Sequence, residues 1–383
     1  MKKMKLVFAS DSFKGSLSSY DTIELLTSAA KEVFGDVECV GIPVADGGEG
    51  TVDALVTKAG GSRIYADVHD PLMRKISAYY GKLDDKKAVI EMAAASGLTL
   101  LATDKRNPLL TTTFGTGELI KAALDRGFTD LYISIGGSAT NDGGMGCARA
   151  LGIKFIDAHG NELEGRGQDL EKVDHIDVSG LDMRIKKCNI TVLCDVNNPL
   201  CGENGATYVF SAQKGADKEM QDILEKGMLN YRDVIRRQFR TDPDSIAGGG
   251  AAGGLGTMLK VFLNGEMRPG IDTVLDLTGF DNIIKDADLV VTGEGCTDLQ
   301  SCYGKAICGI GERAKKAGVP VIALSGSAGP GAEEIYKHGI CSLVTASDVS
   351  MTTEYAMLHA RELYYRAAVK MFKDFKLKKR DSD

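Results

Sequence analysis

The stretch that decides the fold is Asp288-Leu-Val-Val-Thr-Gly-Glu-Gly-Cys-Thr-Asp298-Leu-Gln-Ser-Cys-Tyr-Gly-Lys305. Its apolar run, Leu289 to Val291, predicts a buried parallel strand, which Gly293-Glu294-Gly295 would end abruptly. Apolar residues at helical spacing between Ile307 and Ala314 predict that a helix follows. The acids therefore lie at the carboxyl end of a strand, where open α/β sheets bind ligands. The alternative is a tight turn in which Asp298 only caps the helix.

The same order of a buried strand, a polar loop and a helix recurs near both ends of the chain. The further strands that it predicts there are Leu6–Ala9, Cys39–Ala45, Val321–Leu324 and Leu343–Thr345. Between these segments the sequence pattern is different. Apolar and polar residues alternate with period two in Arg63–Val68 and Lys75–Lys82, which predicts an antiparallel hairpin.

These patterns predict an α/β fold with two domains. Both chain ends, residues 1–69 and 283–383, would form a doubly wound, mostly parallel sheet of the Rossmann or flavodoxin kind. Residues 70–282 would form an inserted α/β domain with a mixed sheet, and ligands would bind at the strand ends.

Composition excludes several classes of function. The net charge of −7 argues against a general nucleic-acid surface. No apolar run approaches the length of a membrane span, and Met1–Lys5 precedes only four apolar residues, too few for a signal peptide. Nine cysteines without a Cys-x-x-Cys pair are typical of a reducing compartment. We therefore expect a cytoplasmic protein that contacts neither nucleic acid nor membrane.

Four familiar binding or catalytic motifs fit poorly. Gly304-Lys305 lacks the upstream glycine of a P-loop, and no protein-kinase signature is present. Gly248-x-Gly250-x-x-Gly253 matches the dinucleotide fingerprint by letter, but Asp242-Pro-Asp-Ser precedes it where a strand is required. A hydrolase centred on Ser138 would need a histidine partner, and none of the five histidines lies in a glycine-rich loop.

What remains at the strand ends is a set of residues suited to phosphoryl transfer, which depends on positioning and charge neutralisation. Backbone N–H groups at helix starts can hold phosphate oxygens, and carboxylates can bind Mg²⁺ or accept a hydroxyl proton. Lys14 or Lys214 could neutralise the transferred charge. For each acid, the alternative is a turn or helix cap. The candidates for binding substrate or phosphate are Asp11, Ser12, Gly47, Gly48, Thr113, Gly115, Thr116, Gly117, Ser138, Asn141, Asn198 and Ser325.

Four long motifs, in order along the chain, resemble the bacterial type-1 glycerate kinases. They are Ser10-Asp-Ser-Phe-Lys-Gly-Ser-Leu-Ser18, Pro43-Val-Ala-Asp-Gly-Gly-Glu-Gly-Thr51, Gly136-Gly-Ser-Ala-Thr-Asn-Asp-Gly-Gly144 and Gly293-Glu-Gly-x-Thr-Asp298 with Gln300-Ser301 and Gly304-Lys305. The resemblance implies phosphorylation of D-glycerate by ATP with Mg²⁺, and the same discontinuous layout. The product would be 2-phosphoglycerate, as in most relatives, or 3-phosphoglycerate.

Roles within such a site follow from chemistry. Asp195 or Asp46 would act as the general base for the glycerate hydroxyl, and Lys14 would neutralise the γ-phosphate. Glu294 and Asp298 would bind Mg²⁺ directly or through water. A non-catalytic sensor of sugar acids or nucleotides is the alternative function, and a homodimer is compatible with the sequence.

Overall fold

The structure is a computed structural model, and it describes residues 3–13, 15–44, 50–302, 305–348 and 350–380. The strands in these ranges are β1 (Lys5–Phe8), β2 (Glu38–Gly41), β3 (Ser62–His69), β4 (Lys75–Lys82), β5 (Lys87–Glu91), β6 (Asp130–Ser134), β7 (Lys154–Ile156), β8 (His175–Asp177), β9 (Asn189–Leu193), β10 (Glu266–Arg268), β11 (Leu289–Thr292), β12 (Cys296–Thr297), β13 (Val321–Ser325), β14 (Ser327–Ala328) and β15 (Ser342–Thr345).

Helices alternate with these strands, and short 3-10 turns complete the connections. The α-helices are α1 (Ser19–Phe34), α2 (Thr51–Ala59), α3 (Ala93–Ser96), α4 (Phe114–Asp125), α5 (Met145–Ala150), α6 (Ala206–Phe210), α7 (Lys218–Phe239), α8 (Ala251–Val261), α9 (Gly270–Thr278), α10 (Phe280–Ile284), α11 (Ala306–Ala317), α12 (Thr353–Leu358) and α13 (Ala360–Arg380). None of the helices in the described ranges is both long and apolar enough to span a bilayer.

The chain divides into two compact units. The first unit combines both ends of the chain, Met1–Asp46 and Gly270–Asp383, and the second unit is the continuous segment Gly47–Pro269. The α/β fold with a discontinuous, doubly wound first unit is therefore confirmed.

The first unit is built on a five-stranded parallel sheet with the order β15-β13-β11-β1-β2. Side chains alternate between its two faces, as strand geometry requires. Leu6 and Phe8 pack with α1 and α13 on one face, whereas Val7 packs with α9, α10 and α11 on the other. Because both faces are covered, β1 and β11 read as continuous apolar runs.

The second unit is built on a six-stranded mixed sheet with the order β10-β9-β6-β5-β4-β3. The strands β3, β4 and β5 form an antiparallel meander that contains the predicted hairpin, with Ser62 opposite Lys82 and His69 opposite Lys75. The strands β5, β6, β9 and β10 are parallel. One continuous apolar core links this sheet to α4, α5, α7 and α8.

The unit bounds differ from the domain boundaries that we expected at 69/70 and 282/283. The strand β3 pairs along its whole length with β4, so it belongs to the mixed sheet. At the other boundary, Ile271 and Leu275 of α9 pack with Ile307 beneath the parallel sheet. The pairing of β3 therefore assigns it to the second unit, and the burial of one face of α9 assigns that helix to the first unit. Alternation of apolar and polar residues does not reveal either contact.

The packing of α13 on the parallel sheet supports a stability prediction. Phe372 is fully buried, and its ring centroid lies 6.1 Å from that of Phe8. We expect Phe372→Ala to lower the free energy of unfolding by about 3–5 kcal/mol, since it leaves a large cavity. Leu377, on the same helix, is 59% exposed, and Leu377→Ala should change stability by less than about 0.5 kcal/mol. Urea titrations of both variants measure this, and equal midpoints would contradict the packing.

Candidate active site

In the parallel sheet of the first unit, the direction in which the chain adds strands reverses between β1 and β11. From β1 the chain moves to β2 on one side, and it later returns to β11 on the other side. The loops after these two strands therefore diverge, which opens a crevice at their carboxyl ends. Asp11 follows β1 and Glu294 follows β11, and the Asp11 backbone N–H donates to Gly293 O at 2.9 Å.

A pocket of about 670 Å³ lies at this crevice within the first unit. The apolar part of its lining, here called the apolar side, comes largely from the last two helices, and the charged part, here called the polar side, comes largely from the loops at the strand ends. The apolar lining includes Phe13, Leu17, Met351, Met357, Leu363 and Tyr364. The volume lies within the range of small-molecule and cofactor sites.

The polar side of the pocket brings together three carboxylates and one ammonium group. Asp11, Glu294 and Asp348 line it, with Ser12 and Ser347 beside them. Lys305 also lines it, and its Nζ lies 3.8 Å from Glu294 Oε2. Lys305 was not among the predicted site residues, although it belongs to the fourth motif quoted above. The Gly304-Lys305 pair was the available signal.

Two other predicted residues of the first unit do not line this pocket. Asp298 immediately precedes the 3-10 turn Leu299–Cys302, and its carboxylate accepts from the Gln300 backbone N–H at 2.8 Å. Ser325 is fully buried, and its hydroxyl is 2.7 Å from the Thr297 hydroxyl. Both contacts hold the loop after β11 in shape, and ligand binding by Ser325 stays a prediction.

In the second unit, the glycine-rich loops are organised by Asp142, which our sequence analysis did not select. Its carboxylate is fully buried and accepts from the Thr113 backbone N–H at 2.7 Å and the Thr113 hydroxyl at 2.8 Å. It also accepts from the backbone N–H groups of Gly144 at 3.1 Å and Gly146 at 3.2 Å. Burial raises the pKa of Asp142, and these hydrogen bonds oppose that rise.

Asp142 thus occupies the anion position that we had expected to receive phosphate at the start of α4. Thr113 donates to this internal carboxylate, and the Thr116 hydroxyl is 2.7 Å from the Ser96 hydroxyl. A side chain at Gly115 would overlap His69 O, and one at Gly117 would overlap Cys147 O. These contacts give groups of this loop internal roles in packing and hydrogen bonding, and their role as ligands stays a prediction.

Lys214 is also internal. Its side chain is buried, and Nζ donates to the Thr140 carbonyl oxygen at 2.7 Å. Burial lowers the pKa of Lys214 to about 7, and the negative charge of Asp142 acts in the opposite direction. A buried ammonium at this place is therefore poorly suited to meeting a phosphate from solvent.

The remaining predicted residues of the second unit differ in their access to solvent. Asn141 is fully buried and donates through Nδ2 to the Thr207 hydroxyl at 3.3 Å, and Ser138 is only 8% exposed. Asp195 and Asn198 are half-buried in the loop that follows β9. Asn198 donates through Nδ2 to Asn204 O at 2.8 Å, so it braces this loop.

Four predicted residues, Lys14, Asp46, Gly47 and Gly48, lie outside the described residues. The glycine run that resembled a dinucleotide fingerprint is described, and it follows the 3-10 turn Pro243–Ser245 instead of a strand. A side chain at Gly253 would overlap Thr140 O, so this run allows close packing on the loop that contains Asp142.

Comparison with known proteins decides the family. The family model described as the glycerate kinase family matches residues 6–376. The chain belongs to the glycerate kinase family. The match extends through both units, so the family relationship applies to the whole architecture and not to one domain alone.

Individual members of the glycerate kinase family are similar along most of their length. The chain is 45% identical over 377 residues to the glycerate kinase of Bacillus subtilis strain 168, covering 98% of this chain and 99% of that relative. It is 46% identical over 338 residues to the glycerate 2-kinase of Escherichia coli K12, covering 88% and 89%. A crystal structure from Salmonella typhimurium LT2, described as "putative glycerate kinase 2", superposes with a TM-score of 0.88 at 41% identity and covers 99% of this chain and 100% of that one.

A substitution at Asp142 tests the interpretation that its carboxylate is the internal acceptor for the N–H groups of these loops. Asp142→Asn keeps the shape but replaces one acceptor oxygen with an NH₂ donor, which must face either the N–H of Gly144 or the N–H groups of Thr113 and Gly146. We expect it to lower the free energy of unfolding by about 3 kcal/mol, since buried donors lose their partner. Denaturant titration measures the loss. The control is Glu219→Gln, which makes the same change at an exposed position of α7, and equal stability of the two variants would refute the interpretation.

Lys214 gives a prediction about pH. A lysine with a pKa of about 7 in the folded protein has its usual value of 10.5 when unfolded. Between these values the unfolded chain binds more protons, so stability should rise with pH. We expect the wild type to gain stability relative to Lys214→Met as the pH rises from about 7 to about 10. Urea titrations at several pH values measure the difference, and a difference independent of pH would show that Lys214 remains charged.

Proposed function

We propose that this protein transfers the γ-phosphoryl group of ATP to D-glycerate, giving ADP and 2-phosphoglycerate. The observation that carries this proposal is the near full-length similarity to proteins named glycerate kinase and glycerate 2-kinase. Phosphorylation of the 2-hydroxyl rests on the second of those names, and 3-phosphoglycerate is the alternative product.

We propose that the first-unit pocket holds ATP. Its volume of about 670 Å³ exceeds what a three-carbon acid needs. The apolar side, formed by residues such as Met351, Met357 and Tyr364, suits an adenine ring. Lys305, on the polar side, offers positive charge to the phosphates, as cations do in phosphoryl-transfer enzymes.

The donors on the polar side also fit Mg²⁺. Asp11, Glu294 and Asp348 supply carboxylate oxygens, the ligand type that this ion prefers, and nucleotide sites hold it with one or two carboxylates plus phosphates. We propose Glu294 and Asp11 as direct ligands, with Asp298 acting through water. When bound, the ion would neutralise charge on the phosphates.

The acceptor requires a base. We propose that Asp195 accepts the proton of the glycerate hydroxyl while the hydroxyl oxygen forms a bond to the γ-phosphorus and the bond to the ADP oxygen breaks. Its half-buried position after the parallel strand β9 leaves it able to meet a substrate. Asn198, on the same loop, would orient the acid, and Ser12 would contact the nucleotide phosphates.

Some roles remain predictions for residues outside the described ranges. Lys14 would neutralise the transferred phosphoryl group, Gly47 and Gly48 would allow close approach of the backbone, and Asp46 is the alternative base. A cytoplasmic location and a homodimer also remain predictions.

The proposed function is tested by ³¹P NMR of the product after incubation with MgATP and D-glycerate. We expect stoichiometric ADP and a single phosphomonoester that co-resonates with added 2-phosphoglycerate. A product that co-resonates with 3-phosphoglycerate would reverse the regiochemistry. No release of ADP would favour the non-catalytic sensor.

The base assignment predicts the effect of Asp195→Asn. Loss of a positioned base should reduce kcat by about 10²–10⁴-fold, with little change in the KM for ATP. The matched control is Glu203→Gln, the same chemical change at an exposed position of the same loop. Steady-state kinetics with a coupled ADP assay measures both variants. A near-normal kcat in Asp195→Asn would exclude Asp195 as the base.

The nucleotide assignment predicts the effect of Lys305→Ala. Loss of one charge-assisted contact to phosphate should raise the KM for ATP about tenfold or more, because such contacts contribute about 1.5–3 kcal/mol. The KM for D-glycerate should change much less. Lys315→Ala, at an exposed site on α11, is the control and should behave like the wild type. An increase confined to the KM for D-glycerate would assign the pocket to the acceptor instead.

A further inference from the structure

Three side chains of the first unit, two of them near one another in sequence and the third about thirty residues further on, converge outside the pocket lining. Cys302 ends the 3-10 turn Leu299–Cys302, Cys308 lies in the first turn of α11, and His338 ends the 3-10 helix Ala332–His338. Their two sulfur atoms and one imidazole nitrogen all lie within 4.8 Å of one another. Among the described residues, this is the one group of three or more potential metal-ligating side chains that comes so close together.

We propose that Cys302, Cys308 and His338 bind a thiophilic divalent cation, Zn²⁺ by preference. Two thiolates and an imidazole are the ligands that zinc favours, whereas Mg²⁺ favours oxygen. Tetrahedral zinc with Zn–S bonds of about 2.3 Å places its sulfur ligands about 3.8 Å apart. Small rotations of side chains would therefore bring the three atoms to that spacing.

A fourth residue, Glu312, contacts one of the three proposed ligands. His338 Nδ1 lies 2.7 Å from Glu312 Oε1. A carboxylate at one imidazole nitrogen fixes the ring and makes the other nitrogen a better ligand, an arrangement found at most zinc-bound histidines. With Nδ1 held by Glu312, Nε2 would bind the ion, and Glu312 would act as a positioning residue.

Packing alone does not account for the cluster. Cys308 is buried among apolar residues, as many structural cysteines are. Cys302 and His338 are only half-buried and lie on different elements, and the ring of His338 is held by a carboxylate. Each thiol would release its proton to solvent on binding the cation. Three protein ligands leave a fourth position for water.

Binding would have a structural consequence near the pocket. Lys305 lies between Cys302 and Cys308 in the chain, and it lines the pocket. An ion held by both cysteines and by His338 would fix the two ends of this short segment to a third element. The site would therefore clamp the segment that carries Lys305. This proposal does not depend on the activity proposed above.

Equilibrium dialysis of the full-length, reduced, metal-stripped protein against Zn²⁺ in excess Mg²⁺ tests the proposal. We expect one tightly bound Zn²⁺ per chain, and loss of this site in Cys302→Ser, Cys308→Ser and His338→Gln. Glu312→Gln should weaken binding by about 10–100-fold, as loss of such a supporting group does. Cys341→Ser, which removes an exposed thiol of the same unit, is the matched control and should bind like the wild type.

A spectroscopic readout separates this site from adventitious thiols. Co²⁺ in place of Zn²⁺ should give thiolate-to-cobalt charge-transfer absorption that disappears in Cys302→Ser and in Cys308→Ser but persists in Cys341→Ser. Far-ultraviolet circular dichroism checks that Cys308→Ser folds, and the half-exposed His338 provides a variant that does not disturb the core. Absence of a tight site in the wild type, or equal affinity in His338→Gln, would overturn the proposal.

Discussion

The arrangement of the first unit depends on the pairing of β1 with β11. These two strands are separated by most of the chain, yet Leu6 pairs with Leu289 and Phe8 with Val291. Both strands are buried on both faces, so the register is set by apolar packing from two helix layers. The hydrogen bond from the Asp11 N–H to Gly293 O extends this pairing into the two loops. The crevice, with its carboxylates, is a consequence of that pairing.

The second unit also contains glycine-rich loops with acidic residues, but there they stabilise the interior of the unit. Asp142 takes hydrogen bonds from two loops and from the starts of two helices, in a place that solvent does not reach. The glycines around it permit close packing of backbone on backbone, as at Gly117 against Cys147 O. The same residue types that approach a ligand in one place therefore hold the scaffold in another.

Periodicity explains why much of the fold was predictable. The apolar runs that form β1, β11 and β13 and the alternation that forms β3 and β4 are local signals, and the structure reproduces their bounds to within one residue. One larger difference is β2, which was expected to reach Ala45 and ends at Gly41. Pro43, close beyond that end, has no N–H to donate to a ladder. Domain boundaries were less accurate, since they depend on which sheet a segment joins.

The site was harder to predict because its chemistry depends on distant partners. No local signal reveals that the N–H groups before α4 meet Asp142, 29 residues beyond Thr113. Nor does sequence spacing place α12 and α13 over the ends of β1 and β11, although Tyr364 lines the pocket there. Glu294, Asp11 and Ser12, which line the pocket, were predicted because they follow buried strands closely. His338 joins Cys302 only through the tertiary fold.

The proposed mechanism depends most on the assignment of the first-unit pocket as the nucleotide site. Photoaffinity labelling with an azido-adenine analogue of ATP, followed by peptide mapping, tests it directly. The account predicts modification within the lining segments of the first unit, chiefly residues 351–364, and protection by excess ATP. Labelling that is protected by ATP but confined to residues 50–269 would contradict it.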